Sequence, residues 1–168
     1  MLIRLTRLSN ERHRFEIVRA NGASDARELE TRSFLIHDLV HFAIESEAQL
    51  GASFYGRLAA GESYEALGAA PPPTGEGMQT ERIVGPIQSA FARDDWPTRD
   101  TDTFAAMLAA SFANLGEEAP DWLNGDLIRR VRERLRQIMG QWRATPFHQT
   151  MELAFRAMPS DSRTKARD

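Results

Sequence analysis

The sequence predicts an α+β fold: a small antiparallel N-terminal sheet packed against five or six helices. Two patterns carry that expectation. Up to about residue 31, apolar and polar side chains alternate, the two-residue period of half-buried strands. Beyond residue 33 the apolar positions recur every three or four residues, the period of amphipathic helices. Length supports both, since 168 residues at 42% hydrophobic content are enough to enclose a core. One domain is expected over residues 1–158, with a disordered polar tail at 159–168.

The strands come first. Ile3 and Leu5 alternate with Arg4 and Thr6, and Phe15 and Ile17 alternate with Arg14 and Glu16. Ser9-Asn10-Glu11 turns the first pair. Asn21-Gly22 turns the second, because both residues tolerate positive φ. A third strand near residues 26–31 completes a meander, which needs a helix against one face to be stable.

Ser33 is the candidate N-cap of a helix over 34–50, with Gly51 as its stop and Ile36, Leu39, Val40, Ala43 and Ile44 as its apolar stripe. Short helices follow at 54–60 and 64–67. Residues 68–77, with Pro71-Pro72-Pro73, read as an exposed mobile loop. A helix over 80–92 contains Pro86, which should kink or restart it. Residues 94–100 link to a helix over 101–115 closed by Gly116. The longest helix starts between Asp121 and Asp126 and ends near Arg143; Leu127, Ile128, Val131, Leu135, Ile138 and Trp142 make it the expected main buried helix. Residues 147–158 admit two readings. Met151, Leu153 and Phe155 alternate like a strand, whereas Phe147, Met151, Phe155 and Met158 fit a helix begun by Thr145-Pro146. A strand joining the sheet is favoured.

Composition excludes several kinds of chemistry. With no cysteine, disulfides, thiolate metal sites and cysteine nucleophiles are ruled out. The one lysine, Lys165, lies in the tail, which argues against Schiff-base and phosphate-loop chemistry. The net charge of −3 disfavours nucleic acid as a partner. Arg4 and Arg7 interrupt residues 1–8, so no signal peptide is read there, and the apolar run at 104–112 is too short to span a bilayer. The expectation is a cytoplasmic protein without a membrane partner; other partners stay unspecified.

Chemistry concentrates in His37-Asp38-Leu39-Val40-His41. Imidazoles four residues apart stand one helical turn apart on the same side and can share a divalent metal ion, with zinc the expected one. On a helical wheel with Ile36 at zero, His37 falls near 100° and His41 near 140°, at the edge of the apolar stripe. His37 and His41 are therefore the candidate metal ligands. Asp38 and Glu45 are the candidate catalytic acids. Asp38 occupies the place of the general base in zinc proteases of the His-Glu-x-x-His type, although it is one methylene shorter and points about 100° away from His37. Glu45 lies about 12 Å along the axis from His37, so it suits orienting His41 better than ligating with it. A third ligand must come from elsewhere, and His148 is the remaining histidine on a candidate core element. A metal-activated water with Asp38 or Glu45 as base would give metal-assisted hydrolysis. The structural alternative is that Asp38 complements the helix dipole and the histidines bond to nearby backbone.

Two further features stand out. Glu47 falls within the apolar stripe, so either the helix ends before it or it is buried and paired. The helix over 126–143 carries Arg129, Arg130, Arg132, Arg134, Arg136 and Arg143 against Asp126 and Glu133. The alternative function is accordingly a non-catalytic interaction module using that Arg-rich helix; against it stands a solvated face paired with acids elsewhere in the chain.

The segment Ser33-Phe34-Leu35-Ile36-His37-Asp38-Leu39-Val40-His41-Phe42-Ala43-Ile44-Glu45 resembles a set of small uncharacterised bacterial proteins with a His-Asp-Leu-x-His-Phe helix signature, a resemblance that implies no activity. The His37-Asp38 pair is also similar to that of the HD phosphohydrolases, whose metals are bound by a His, a His-Asp pair and a distant Asp. Here the upstream histidine is His13, in a predicted strand, which departs from the helical context of that family.

Overall fold

The computed structural model describes residues 1–69, 75–93, 96 and 99–156. Residues 70–74 of the proline-rich loop, residues 94, 95, 97 and 98 of the 94–100 linker, and the expected tail lie outside the described residues. Four strands form one antiparallel sheet: β1 (Leu2–Arg7), β2 (Arg12–Val18), β3 (Ser24–Glu30) and β4 (Thr150–Ala154), in the order β3-β2-β1-β4. Register places Ile3 beside Ile17 and Leu153, and Leu5 beside Phe15 and Met151. Because side chains alternate across a strand, these six share one face, and all are buried. The C-terminal segment is thus a strand: Met151, Leu153 and Phe155 all point into the core. The opposite face is charged, with Arg4 donating to Glu152 across β1 and β4 at 2.8 Å.

The described residues hold six helices: α1 (Ile36–Ala48), α2 (Phe54–Ala60), α3 (Tyr64–Ala69), α4 (Glu76–Phe91), α5 (Thr101–Ala113) and α6 (Gly125–Ala144). Among the described residues, no helix is long and apolar enough to cross a membrane. The α5 and α6 starts are capped by side chains: Asp100 accepts from the Thr103 N–H at 2.8 Å, and Asn124 from the Leu127 N–H at 2.9 Å. Gly116, at φ 71, closes α5 as its position predicts.

Ser33 does not cap α1. A wide π-type turn at Thr31–Leu35 intervenes, and the Ser33 hydroxyl donates to Glu30 instead, at 2.6 Å. The stop is Gln49 in the left-handed conformation rather than Gly51, with the Leu50 N–H reaching back to the Glu45 carbonyl. Helix α4 starts earlier than expected and runs through Pro86 without restarting. An interior proline costs about 3 kcal/mol. Burial of Ile83, Val84 and Ile87 on the same helix, at about 1.5–3 kcal/mol each, outweighs it.

The most enclosed helix is α1, not α6. Leu39, Val40, Phe42, Ala43 and Ile44 are all essentially inaccessible, and α1 packs against both α4 and α6. Burial extends beyond the apolar stripe: Asp38, His41 and Glu45 are buried too. Helix α6 is the amphipathic one, burying the stripe from Leu127 to Trp142 and exposing arginines. Glu47 is half-buried and pairs with Arg130 of α6 at 3.3 Å, which resolves its place near the stripe.

Candidate metal centre

Glu45 anchors the site from beneath. Its carboxylate is fully buried and accepts three hydrogen bonds: Tyr55 N–H at 2.7 Å, Gly56 N–H at 3.3 Å and His41 Nδ1 at 3.1 Å. The chain turns at 51–53 so that the first residues of α2 bring their amides onto this carboxylate. Gly56 is required there, because a Cβ on it would run into the Gly51 backbone. Gly56→Ala should lower stability by about 1–3 kcal/mol, the usual range for overpacking. The check is a shift of the urea unfolding midpoint; an unshifted midpoint would show that the α1–α2 connection yields freely.

With Nδ1 engaged by Glu45, His41 presents Nε2 to the other side, where it meets Glu81 of α4 at 3.2 Å. The His37 ring stands edge-on to the His41 ring with centroids 4.8 Å apart. One ligand atom each from His37, His41 and Glu81 lies within 4.8 Å of the others. A tetrahedral zinc would hold such atoms about 3.3 Å apart, a difference within reach of small side-chain rotations.

Charge follows the same layout. Burial alone would lower the His41 pKa, but hydrogen bonds and charge from Glu45 and Glu81 prevail and raise it to about 9. His37 is lowered, chiefly by burial and then by the neighbouring His41. Glu81 is lowered by its hydrogen bond with His41. Burial pushes Glu45 up against the pull of its three donors. A cavity of about 270 Å³ opens over the trio. Asp38 lines it, 5% exposed, with Oδ2 lacking a partner and burial raising its pKa to about 7.

The structure therefore brings His37 and His41 together, as their spacing predicts, and adds Glu81 from a helix forty residues on. Asp38 lies on the cavity wall. Glu45 is absent from that wall and touches His41 from behind. His148 is exposed, in a left-handed turn before β4, and supplies no third ligand. His13 lies on β2, bonded to Thr31 and edge-on to Trp142, so it does not complete an HD-type arrangement. Glu81 did leave a signal. It stands on one helical row with Gly77 and Val84, both buried, beside the apolar stripe. This is the same edge position that marks His37 and His41; starting the helix at 80 cut off the preceding turn and hid it.

No family model, curated protein or solved structure matches the chain. The site is accordingly judged on its own chemistry. The arginines of α6 make a poor competitor, since several have partners within the fold. Arg129 and Arg130 both pair with Asp126, Arg130 also reaches Glu47, Arg132 donates to the Arg99 carbonyl, and Arg134 lies over the Phe42 ring.

Proposed function

We propose that the protein binds one divalent metal ion, zinc by preference, through His37, His41 and Glu81, and uses it for metal-assisted hydrolysis. The convergence of those three ligand atoms within 4.8 Å carries the reading. Two histidines and a carboxylate leave a coordination position open, the arrangement of catalytic rather than structural zinc. All three residues line the cavity, which would give a substrate access to a bound ion. Glu45 fixes His41 in the tautomer that leaves Nε2 for the metal, the common role of a carboxylate behind a ligating histidine. When bound, the metal would polarise a substrate oxygen and acidify a water. Asp38, which lines the same cavity, would take the proton. On this reading the His-Asp-Leu-x-His-Phe signature is a ligand-pair signature.

The test is elemental analysis of protein purified without a histidine tag. About one metal equivalent per chain is expected, absent from the His37→Ala/His41→Ala double variant and reduced in Glu81→Gln. Two histidines and a carboxylate also suit non-haem iron, and the analysis identifies the ion. Added zinc at one hundred times its Kd should stabilise the fold by about 2.7 kcal/mol. Metal-free protein whose melting temperature ignores added zinc, iron and manganese would sink the proposal.

A further inference from the structure

The walls of the cavity say what kind of molecule it suits. About 270 Å³ is roughly twice the space that admits a benzene ring, so a ring with a small polar head fits. Part of the lining is apolar: Phe34, Phe54, Tyr64 and Leu67. Phe54 and Tyr64 meet edge-to-face with centroids 5.5 Å apart, a rigid aromatic corner. The rest of the lining is polar and incompletely satisfied. Asp38 Oδ2 and Ser53 Oγ are both buried on lining residues, and neither has a hydrogen-bond partner among the described residues. Buried polar atoms are ordinarily paired, so two orphans on residues that line one cavity favour a ligand with polar atoms of its own at that end.

Charge narrows the head group. Arg57 is the arginine lining the cavity, and both its Nε and Nη2 are already held by the Glu62 carboxylate at 2.8 and 2.6 Å. Among the described residues, a phosphate or sulfate ester would find no disengaged guanidinium there. A divalent ion would be largely balanced by Glu81 and by Glu45 behind His41, and Asp38 adds a further acid. The surroundings favour an uncharged group with a Lewis-basic oxygen for the metal and an N–H or O–H for Asp38.

We propose that this cavity takes a small uncharged acyl compound of the carboxamide class, with an aromatic or branched apolar body against Phe54 and Tyr64, its carbonyl oxygen at the metal position and its N–H donating to the Asp38 carboxylate. The inference rests on the metal-binding reading above and deepens it by naming the ligand chemistry.

Calorimetric titration of the zinc-loaded protein tests it with three probes: benzohydroxamate, acetohydroxamate and phenyl phosphate. Both hydroxamates chelate through the same carbonyl and N–O oxygens beside the same N–H, so chelation cancels between them and their ratio reads the ring alone. Benzohydroxamate should bind about tenfold or more tighter than acetohydroxamate, through burial of its ring, and tighter than phenyl phosphate. Phe34→Ala removes a side chain that is 43% exposed and so should not endanger folding. It should weaken benzohydroxamate several-fold and leave acetohydroxamate unchanged. Asp38→Ala should weaken both hydroxamates while metal content stays at one equivalent. Equal affinities for the two hydroxamates, or a preference for phenyl phosphate, in protein that holds its zinc would overturn the ligand class and leave the metal site standing. Failure to hold zinc would overturn both.

Discussion

Glu45→Ala will destabilise the fold by about 3–5 kcal/mol, the largest effect expected of any single substitution in the site. The reason is what the carboxylate leaves behind. Tyr55 N–H, Gly56 N–H and His41 Nδ1 all point at it, and no water reaches the fully buried position. Each buried donor left unpaired costs about 1–3 kcal/mol. Nor could the chain relax easily, because Gly56 already abuts the Gly51 backbone. Glu45→Gln separates this structural role from the functional one. Its amide oxygen can still accept from Tyr55 and Gly56, so the protein should fold. Its NH₂, however, donates to His41 Nδ1 and drives the imidazole proton to Nε2, the atom proposed to bind metal. Metal affinity should then fall about 10–100-fold with little change in melting temperature. A glutamine variant that folds and binds metal like the parent would refute the orienting role.

The second large effect concerns pH and lies outside the metal centre. His13 is wholly buried on β2, and burial, followed by the charge of Arg12, lowers its pKa from 6.5 to about 4. Its ring accepts or donates at Thr31, stands edge-on to Trp142, and faces Arg7 and Leu29 across the neighbouring strands. No acid is among these neighbours to welcome a proton. The unfolded chain therefore binds a proton at His13 more readily than the folded one. Its contribution is complete above pH 6.5 and is lost as pH falls from 6.5 towards 4. A lowering of that size is worth about 3 kcal/mol. Asp38 runs the other way: its pKa is raised to about 7, so metal-free folded protein takes up a proton and gains stability over much of the same range. The two partly cancel in the parent. The diagnostic quantity is the difference between parent and His13→Phe, measured by urea unfolding of metal-free protein at pH 7 and pH 4. The variant should gain on the parent by about 3 kcal/mol as the pH drops. Parallel curves would show that His13 carries no such linkage.

Local patterns in the sequence were legible because they report local geometry. The alternation of Ile3, Leu5, Phe15 and Ile17 marks strands whichever neighbours they find, and the period of α6 survives its arginines. Likewise His37 and His41 need only one helical turn between them to become a pair. What stayed hidden depends on packing. Glu81 reaches the pair only because α4 lies against α1, and nothing in the residues around Glu81 names its partner. The wheel set Glu45 outside the apolar stripe and its distance from His37 suggested a group that orients His41, but neither showed that the carboxylate is fully buried. Two backbone amides of α2 make its burial tolerable, and those come from beyond the helix. On α6 the charge count suggested an excess, whereas Asp126 and Glu47 engage arginines individually.

The sheet order also has a consequence for the route by which the chain folds. β1 pairs with β2 across a four-residue turn, but with β4 only after some 140 residues have been looped out, and Met1 closes that pairing by donating to the Phe155 carbonyl at 3.2 Å. Contacts so distant in sequence form slowly, because the entropy of closing the loop precedes any gain from the pairing. Until β4 arrives, β1 is an edge strand with open N–H and C=O groups and an apolar face, the template on which misassembly between chains begins. Refolding yield, more than equilibrium stability, should therefore suffer from substitutions in β4 that delay its docking.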